Sequence, residues 1–539
     1  MSNTRNIRRH QATQENAMNT DLNRGGSRKE KNRTTKTGTR RTGSVALIAL
    51  GLALAAQAAE PPNAPLPSEA GQPVVRPEDR RDGSSSAQKP VGWRNDGTGV
   101  FPDTNPPLRW VPESKWDRAK NVRWQRSFEG AWSNAQPILV GKRLLAPLEI
   151  TSFVCLDADT GEVLWKRDLR FVRTETGVTF AKDLALWTER KNASPERIKE
   201  LDAVLIPRVD CYGDGCQERY LKGYTFATPV SDGALVYIKN LTGVLAALDL
   251  KGDVVWACDI GYLADHGSVA SPCLSDGRLI VWHKTSDKIK TFVLSAFDAK
   301  TGQPLWRTEE RPAGTGAGCP SPLLVRLAGV TVVLAANGDV VRATDGKILA
   351  REVHPQSFGA PICHEDVVFF SHDGKYAAVR LALKEEGTVT AEKIWEAAPT
   401  AEREEEGKDG KKRKAVIGGS PYGGMLYHEG YVYAICTKGL YVVLEAKTGK
   451  IACAKILPRM DRVYGNLSLA GGRIYFFGMN GRGFVVKPGP AAELLAENQC
   501  LGSNTYSPFF AGNRMYIRNS RVADWMPGAW IRCIEEEKP

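Results

Sequence analysis

The segment CHEDVVFFSHDGKY, residues 363–376, brings together the side chains best suited to chemistry in this sequence. Thiol, imidazole and carboxylate groups of this kind bind zinc and other borderline cations. The candidates are Cys363, His364, Glu365, Asp366, His372 and Asp373. The apolar run between the two groups has the composition of a strand, so the groups would lie in turns at its opposite ends. The sequence therefore favours two structural turns over a metal centre.

A second reactive pair is formed by Cys211 and Cys216 in the segment DCYGDGC. The two glycines let the chain between the thiols curl back, which favours a disulfide bond. Free thiols, or a metal held together with the neighbouring aspartates, stay open as alternatives. A four-residue spacing without a second cysteine pair is weak for zinc. The sequence holds eleven cysteines, so at least one has no disulfide partner within the chain.

Other catalytic motifs are absent from the sequence. It contains no CxxCH, GxxxxGK[ST], HExxH or GxSxG, and the Gly-rich AGTGAG at residues 313–318 does not join a strand to a helix. The formal net charge is +12, but residues 1–44 alone carry eleven Lys or Arg and three Asp or Glu. The rest of the chain is close to neutral and has no basic stripe, so nucleic acid is not an expected partner.

The basic N-terminal stretch is typical of an export signal. It ends at Arg40 and Arg41, and the apolar run VALIALGLALAA and a small-residue cleavage pattern, AQA at 56–58, follow it. About twelve apolar residues are too few for a membrane-spanning helix, which needs about twenty. We therefore predict a signal peptide over residues 1–58 that directs export by the Sec or the twin-arginine pathway. The mature protein is predicted to be periplasmic or secreted and to have no transmembrane segment.

The rest of the chain divides into a linker and a long array of repeats. Residues 59–91 are rich in Pro, Ser and charge, which predicts a disordered linker. In residues 92–539 a small residue and Pro, or a near variant, repeatedly open an apolar strand that runs to a Gly-containing turn. The Pro or its equivalent stands at positions 137, 229, 272, 322, 361, 421, 468 and 508.

Each of these eight copies reads as a series of short strands and turns. Four antiparallel strands in about 40–45 residues form one blade of a β-propeller. The sequence therefore predicts an all-β fold, an eight-bladed β-propeller of four-stranded antiparallel blades. The two longest spacings contain insertions at about residues 170–224 and 396–416.

A second motif closes the blades and repeats at fixed offsets, as in LDADTGEVLWKRDL and FDAKTGQPLWR. Its aspartate can accept hydrogen bonds from the next amides, and its glycine permits a left-handed turn. Its tryptophan offers a large ring for packing on the neighbouring blade. The residues assigned to this structural docking are Trp124, Asp157, Gly161, Trp165, Asp249, Trp256, Asp298, Gly302, Trp306 and Trp395.

The segment NVRWQRSF, residues 121–128, lies before the first blade, yet it resembles EVLWKRDL, the strand that ends that blade. We therefore predict that this N-terminal strand pairs with the last blade and closes the ring. Such pairing removes two sheet edges that would otherwise invite aggregation.

These motifs resemble the PQQ-like repeat family, the quinoprotein alcohol dehydrogenase-like propellers. Residues 296–306 match the eleven-residue signature Ala-x-Asp-x-x-Thr-Gly-x-x-x-Trp at every position, and residues 155–165 match all but the first. Residues 92–110, GWRNDGTGVFPDTNPPLRW, also resemble the opening segment of secreted bacterial members. The resemblance covers about residues 92–538 and implies the fold. It implies much less about activity, because a fold does not fix a function.

The resemblance leaves two functional branches open. Dehydrogenases of the family bind pyrroloquinoline quinone (PQQ) and calcium under a ring of adjacent cysteines, but this chain has no Cys-Cys pair and no recognisable calcium ligands or catalytic aspartate. The other branch is non-catalytic. We expect a monomeric scaffold without a cofactor that binds a protein or carbohydrate ligand, with a PQQ-dependent or divergent dehydrogenase as the alternative.

The first insertion is the expected site of partner binding. It contains SPERIKELDAVLI, a predicted helix with Ser194 as its N-cap and Pro195 in its first turn. Insertions on repeat scaffolds decorate one face and often carry binding, so we expect this one to cap a channel mouth. The second insertion, AEREEEGKDGKKRK at residues 401–414, is expected to be a solvated loop.

Overall fold

The computed structural model describes most of the chain from residue 90 onward. The described ranges are 90–112, 118–128, 135–148, 151–175, 177–181, 185–190, 192–206, 227–240, 243–261, 270–284, 291–312, 319–355, 358–406, 410, 412–436, 438–460, 462–500, 507–520 and 529–537. The predicted signal peptide, almost all of the predicted linker, and the cysteines Cys211 and Cys216 lie outside them.

The described residues form an eight-bladed β-propeller of mainly four-stranded antiparallel sheets. Two strands precede the first sheet, β1 (Val100–Phe101) and β2 (Val122–Phe128). Blade 1 contains, from its inner strand outward, β3 (Ile138–Val140), β4 (Arg143–Leu148), β5 (Ser152–Asp157) and β6 (Val163–Asp168). The first insertion then contributes β7 (Phe171–Thr174), β8 (Gly177–Phe180), α1 (Ala185–Arg190), α2 (Pro195–Val204) and β9 (Leu205–Ile206).

Blades 2 to 5 repeat the same order from the inner strand outward. Blade 2 contains β10 (Val230–Ser231), β11 (Leu235–Lys239), β12 (Val244–Asp249) and β13 (Val254–Asp259). Blade 3 contains β14 (Cys273–Ser275), β15 (Arg278–Lys284), β16 (Thr291–Asp298) and β17 (Pro304–Arg307), with β18 (Arg311–Pro312) also paired to β16. Blade 4 contains β19 (Leu323–Leu327), β20 (Val330–Leu334), β21 (Val340–Arg342) and β22 (Ile348–Ala350). Blade 5 contains β23 (Ile362–His364), β24 (Val367–His372), β25 (Lys375–Leu383) and β26 (Val389–Ala397).

The remaining strands form the second insertion and blades 6 to 8. The insertion contains β27 (Ala401–Glu406) and β28 (Lys412–Ile417). Blade 6 contains β29 (Leu426–His428), β30 (Tyr431–Ile435), β31 (Leu440–Glu445) and β32 (Ile451–Ile456). Blade 7 contains β33 (Ser468–Ala470), β34 (Arg473–Phe477), β35 (Arg482–Val486) and β36 (Leu494–Gln499). Blade 8 contains β37 (Phe509–Ala511), β38 (Arg514–Ser520) and β39 (Ala529–Glu535).

The middle strands of each blade are buried on both faces, because every sheet is packed between two neighbours. In β12, the five residues from Val244 to Leu248 have no exposed surface. Such strands read as continuous apolar runs rather than as alternating ones. The hydrophobic clusters accordingly draw on adjacent sheets, as where Phe153 of blade 1 shares a cluster with Val236 of blade 2.

Blade 8 takes its outer strand from the other end of the chain. Strand β2 pairs antiparallel with β39, with Trp124 opposite Cys533 and Phe128 opposite Ala529. This is the pairing that the sequence of residues 121–128 predicts.

The Ser or Thr that precedes Pro at the start of a blade links that blade to the one before it. The backbone N–H of Gln136 donates to Thr228 Oγ1 at 3.0 Å, that of Thr228 to Ser271 Oγ at 3.2 Å, and that of Ser271 to Ser321 Oγ at 2.9 Å. Between blades 7 and 8, Asn466 N donates to Ser507 Oγ at 2.9 Å. The recurrent small residue therefore provides the acceptor that a buried N–H requires.

The two insertions both form secondary structure. The predicted helix is present as α2, and Ser194 caps it by accepting a hydrogen bond from the Arg197 amide. The prediction of a solvated loop over residues 401–414 was wrong, because β27 and β28 pair as an antiparallel hairpin. Its acidic and basic runs face each other across the strands, with Glu404 opposite Lys414, and such opposite charges stabilise a pair of strands. Neither α1 nor α2 has the length and apolar character needed to span a bilayer.

Candidate binding site in the propeller channel

The predicted docking tryptophans lie at the contacts between consecutive blades. Trp165 of blade 1 donates from its indole N–H to the carbonyl of Leu250 in blade 2 at 3.0 Å. The same bond recurs at the other tryptophans of the motif. It joins Trp124 to Ala158, Trp256 to Ala299, Trp306 to Ala343 and Trp395 to Ala446.

Each tryptophan ring lies directly over a glycine of the next blade. A Cβ atom built on Gly161 would stand 2.5 Å from the ring of Trp124, and one on Gly302 would stand 2.5 Å from Trp256. Both glycines also have positive φ, +71° and +72°. The glycine therefore serves the turn through its left-handed backbone and the blade contact through its missing side chain.

The aspartates of the motif hold the same turns. Asp157 Oδ1 accepts from Thr160 N at 2.8 Å, and Asp298 Oδ1 accepts from Thr301 N at 2.8 Å. Asp249 accepts from the amide of Asp253 at 2.9 Å. The residues of this motif are thus distributed around the ring in pairs and do not meet at one common site.

The thiol, imidazole and carboxylate groups of residues 363–373 separate as the sequence predicts. Strand β24 runs between the two groups, so the turn after His364 and the turn after His372 stand at its opposite ends. Within the described part of the chain, no three His, Cys, Asp or Glu side chains come together in a way that could hold a metal ion. The Gly-rich residues 313–318 lie outside the described residues.

Residues 91–102, which we call the channel segment, run against the inner strands of the propeller. At one end, Val91 forms an antiparallel bridge with Ser231 of blade 2, with N–H to carbonyl distances of 2.9 and 2.8 Å. At the other end, β1 pairs in parallel with β33 of blade 7, with Val100 opposite Leu469. The segment therefore connects inner strands of blades 2 and 7.

Arg94 anchors the middle of the channel segment and is completely buried. Its Nη2 donates to the carbonyls of Thr98 at 3.0 Å and Leu467 at 3.3 Å, and to that of Met425. Its backbone N–H donates to Gln136 Oε1 at 2.8 Å. Burial lowers the pKa of the Arg94 guanidinium to about 9, because a charge that leaves water loses solvation.

A cavity of about 530 Å³ lies beside the channel segment. The inner strands of blades 3, 4 and 5 form its other wall through Leu274, Leu324 and Ile362. Asp96 is the one carboxylate of the lining, and His364, stacked on Tyr427 with ring centroids 3.9 Å apart, contributes an aromatic wall. Ligand sites in proteins have volumes of about 300–1,000 Å³ and a largely apolar lining with a few polar groups, so this is the candidate binding site.

Two more buried polar residues stand at the ends of second strands. Lys239 Nζ donates to the carbonyls of Ala270 at 2.8 Å and Trp282 at 2.9 Å, and burial lowers its pKa to about 7. His283 Nε2 lies 3.0 Å from Ser295 Oγ, and burial lowers the pKa of its imidazole to about 3. Both contacts satisfy backbone or hydroxyl groups within the fold.

Sequence reasoning missed Arg94, Asp96 and Lys239. The channel segment has no hydrophobic period, and its Gly, Asp and Asn content is typical of any loop. Lys239 stands at the end of an apolar strand, where a lysine is usually solvent-exposed. Residues 92–110 resemble the opening segment of secreted members of the PQQ-like repeat family. That resemblance does not indicate which residues the segment contacts.

The described residues that line this cavity do not provide the oxygen ligands of a calcium site. Calcium takes six to eight oxygen ligands, several of them carboxylates. The charged group buried among the inner strands of blades 1, 6 and 7 is a guanidinium, and Asp96 is the one carboxylate of the cavity lining.

The family comparison agrees with the repeat. Residues 186–399, which run from the first insertion to the end of blade 5, match the PQQ-like family model described as outer membrane protein assembly factor BamB. No curated protein matches the chain.

The chain is also similar to several solved structures. BamB from Moraxella catarrhalis is 12% identical, with a TM-score of 0.49, over 77% of this chain and 99% of that one. Quinohemoprotein alcohol dehydrogenase from Comamonas testosteroni is 11% identical, with a TM-score of 0.47, over 78% of this chain and 77% of that one. The quinohemoprotein alcohol dehydrogenase ADHIIG from Pseudomonas putida HK5 is 13% identical, with a TM-score of 0.44, over 80% of each chain.

The described residues form an eight-bladed β-propeller, and its repeated Asp-Thr-Gly-Trp docking is similar to that of the PQQ-like repeat family, whose model matches residues 186–399.

Proposed function

We propose that this protein is an exported, non-catalytic β-propeller that binds a protein partner as an assembly scaffold. The observation that carries the proposal is the first insertion, which is a small folded unit rather than a loop. It consists of a three-stranded sheet, β8-β7-β9, together with α1 and α2.

The insertion has a hydrophobic core of its own. Trp187, Leu201 and Leu205 are buried together, with Val172 and Val204 packed around them. Arg190 and Asp202 join the two helices through a pair of hydrogen bonds, one of them 2.9 Å from Nη2 to Oδ2. A unit with its own core and its own ion pairs can present a fixed surface to a partner.

The insertion is fixed to the rim of the propeller. Arg173 Nε lies 2.8 Å from Asp259 Oδ2 at the end of β13, the outer strand of blade 2, and β8 contacts that same strand. The described part of the insertion therefore contacts the outer strand of blade 2, and residues 207–226 are outside the described ranges. We propose this rim unit, residues 170–206, as part of the partner surface.

The exposed side of α2 is charged, and such a surface is compatible with a non-obligate interface. Arg197 lies between Glu189 and Glu200, at 2.7 and 2.8 Å, and Lys199 is exposed beside them. Interfaces that form and dissociate are about as polar as the rest of a protein surface. The family model matched over residues 186–399 is named for an assembly factor, which supports a role with protein partners.

The test is a deletion with a matched control. A chain in which a short Gly-Ser linker replaces residues 182–222 keeps Phe171 and Val178, which are buried in the core between blades 1 and 2. It should retain its thermal unfolding midpoint and lose the partner that chemical crosslinking captures in the exported fraction. The control removes the hairpin of β27 and β28, which is also an exposed insertion, and should retain the partner. Equal capture by both chains would contradict the proposal.

A point variant separates loss of binding from loss of folding. The substitution Lys199→Glu reverses the charge of an exposed residue of α2 and keeps the ion pairs of Arg197 with Glu189 and Glu200. It should weaken crosslinking while leaving the unfolding midpoint within about 2 °C.

The alternative function, a PQQ-dependent or divergent dehydrogenase, is tested on the same material. The purified chain that begins after Ala58 should show no quinone absorbance and no rise of its unfolding midpoint when calcium and PQQ are added. A clear calcium-dependent stabilisation by PQQ would overturn the scaffold proposal.

A further inference from the structure

The inner strands of the propeller differ in whether their channel-facing edges are paired. Strand β33 of blade 7 carries β1 on that edge, and β10 of blade 2 carries the bridge from Val91. In blades 3, 4 and 5, the inner strands β14, β19 and β23 are the terminal strands of their sheets within the described part of the structure. An edge strand presents a row of N–H and C=O groups that can pair with another chain.

These three edges line the cavity beside the channel segment. The lining includes Cys273 and Leu274 of β14, Leu323 and Leu324 of β19, and Cys363 of β23. The channel segment therefore stands on one side of the cavity, and backbone edges stand on the other. The longest of these edges is β19, with five residues, so it offers the most room for a paired strand.

The protein's own chain demonstrates that an inner edge can accept an extended segment. Besides the β1–β33 register, the N–H of Leu469 in β33 donates to the Gly99 carbonyl at 2.8 Å. Strand addition of this kind obtains affinity from main-chain hydrogen bonds and specificity from pockets for alternate side chains.

The lining also specifies the chemistry of the occupant. Pro272, Leu274, Leu324 and Ile362 favour apolar side chains at alternate positions. Asp96 is exposed, its Oδ1 accepts only from the amide and hydroxyl of Thr98, and no described cation forms an ion pair with it. A basic residue in the occupant would pair with this carboxylate.

We propose that the cavity binds an extended peptide segment of a partner protein, apolar at alternate residues and carrying one basic residue, as an added strand on the inner edge of β19. The proposal rests on the proposed scaffold function and names the kind of segment that the scaffold takes. It does not depend on the rim unit.

The cysteines of the chain provide the readout. Cys273 and Cys363 line the cavity and are partly exposed, whereas Cys453 is partly exposed on the outer strand of blade 6. The probe is the acetylated and amidated pentapeptide Thr-Val-Lys-Val-Thr. At saturating peptide, the rate at which N-ethylmaleimide modifies Cys363 in the mature protein should fall at least about fivefold, while Cys453 serves as the internal control.

Two controls separate strand pairing from simple apolar binding. The same pentapeptide N-methylated at all five residues keeps its side chains and loses the backbone N–H donors of both strand edges, so it should give no protection. Asp96→Asn keeps the acceptor for Thr98 and removes the charge, and it should weaken the lysine peptide about fivefold without weakening its norleucine analogue.

Several results would overturn the proposal. Equal protection by the N-methylated peptide would exclude strand pairing, as would no protection at millimolar peptide. If 1-anilinonaphthalene-8-sulfonate protects Cys363 and the pentapeptide does not, the cavity is a site for small apolar molecules. Protection that appears only after residues 59–89 are also removed would assign the cavity to the chain's own N-terminal part. Partner capture that depends on the rim unit, without peptide protection, would leave the proposed function standing and remove only this inference.

Discussion

At the scale of single residues, the glycine under each docking tryptophan has two separable roles. Gly302 has a φ of +72°, and a Cβ there would stand 2.5 Å from Trp256, whereas Gly277 in the same blade has a φ of +74° and a Cβ there would have no neighbour within 4 Å. The left-handed backbone costs a non-glycine residue about 1–2 kcal/mol at either position. Only Gly302 adds a steric clash with the next blade.

The prediction is a difference between two alanine variants. Gly277→Ala should reduce the free energy of unfolding by about 1–2 kcal/mol, and Gly302→Ala should reduce it by about 1–3 kcal/mol more because the Trp256 ring must move. Urea unfolding followed by tryptophan fluorescence measures both. Equal losses would show that the ring contact contributes nothing.

The sequence predicts the residues of this contact better than it predicts the residues of the channel. Asp157, Gly161 and Trp165 stand at fixed offsets and recur, so a turn and a packing ring could be assigned without coordinates. Arg94 could not be assigned, because a buried arginine in a segment without periodicity has no local signature. Its role depends on carbonyls of blades 6 and 7, more than 300 residues away.

At the scale of the strand and the blade, a Ser or Thr that precedes the inner strand of several blades joins neighbouring sheets. Ser271 Oγ accepts from the buried Thr228 N–H at 3.2 Å, while Ser275 at the end of the same strand contacts only the exposed Asp276. Ser271→Ala leaves a buried donor without its acceptor and should cost about 1–3 kcal/mol in the free energy of unfolding. Ser275→Ala should change it by no more than about 0.5 kcal/mol. Similar effects of both variants in chemical denaturation would contradict this account.

The contact between blade 8 and blade 1 contains carboxylates whose ionised form is stabilised. A hydrogen bond from Arg514 holds the pKa of Asp159 below its ordinary value. For Glu535, burial acts to raise the pKa, but hydrogen bonds from Asn513 and Arg123 and the charge of Arg514 outweigh it and lower the pKa. A carboxylate with a lowered folded-state pKa stabilises the fold above its unfolded-state pKa, and this contribution is lost as the pH falls.

The corresponding prediction concerns acid unfolding. Between about pH 6 and about pH 3, the free energy of unfolding should fall less steeply in Arg514→Gln than in the natural chain, since the variant has less stabilised charge to lose. The control is Arg351→Gln, which removes an exposed ion pair with Glu309 that solvent screens. Parallel pH profiles for the natural chain and Arg514→Gln would refute the prediction.

The hairpin of β27 and β28 shows why one element was mispredicted. Its strands are almost entirely charged, so hydropathy alone indicates a loop, and the complementary order of acidic and basic residues becomes meaningful only once the strands are paired. The blades were predictable for the opposite reason, because burial on both faces leaves long apolar runs between turn residues.

At the scale of the whole molecule, β2 completes the ring, whereas the channel segment runs along the inner strands beside a cavity. The two parts of the N-terminal region are therefore expected to contribute differently to stability. A chain that begins at Asn121 keeps β2 and Trp124 and should still unfold in one cooperative transition, at a lower midpoint. A chain that begins at residue 129 leaves the edge of β39 unpaired and should aggregate. Calorimetry and light scattering measure the two outcomes. Cooperative, monomeric unfolding of the shorter chain would show that closure by β2 is dispensable.

The pairing of β2 with β39 also constrains the order of events during synthesis. Gln125 and Arg532, which are hydrogen-bonded across this pair, are 407 positions apart in the sequence. Contacts of such long range close slowly, because the chain entropy of the whole intervening loop must be lost first. Strand β2 is made before β39 and stays unpaired until β39 has been synthesised. Ring closure is thus a folding step that requires the chain to extend through β39, and a chain that stalls before it keeps an open strand edge.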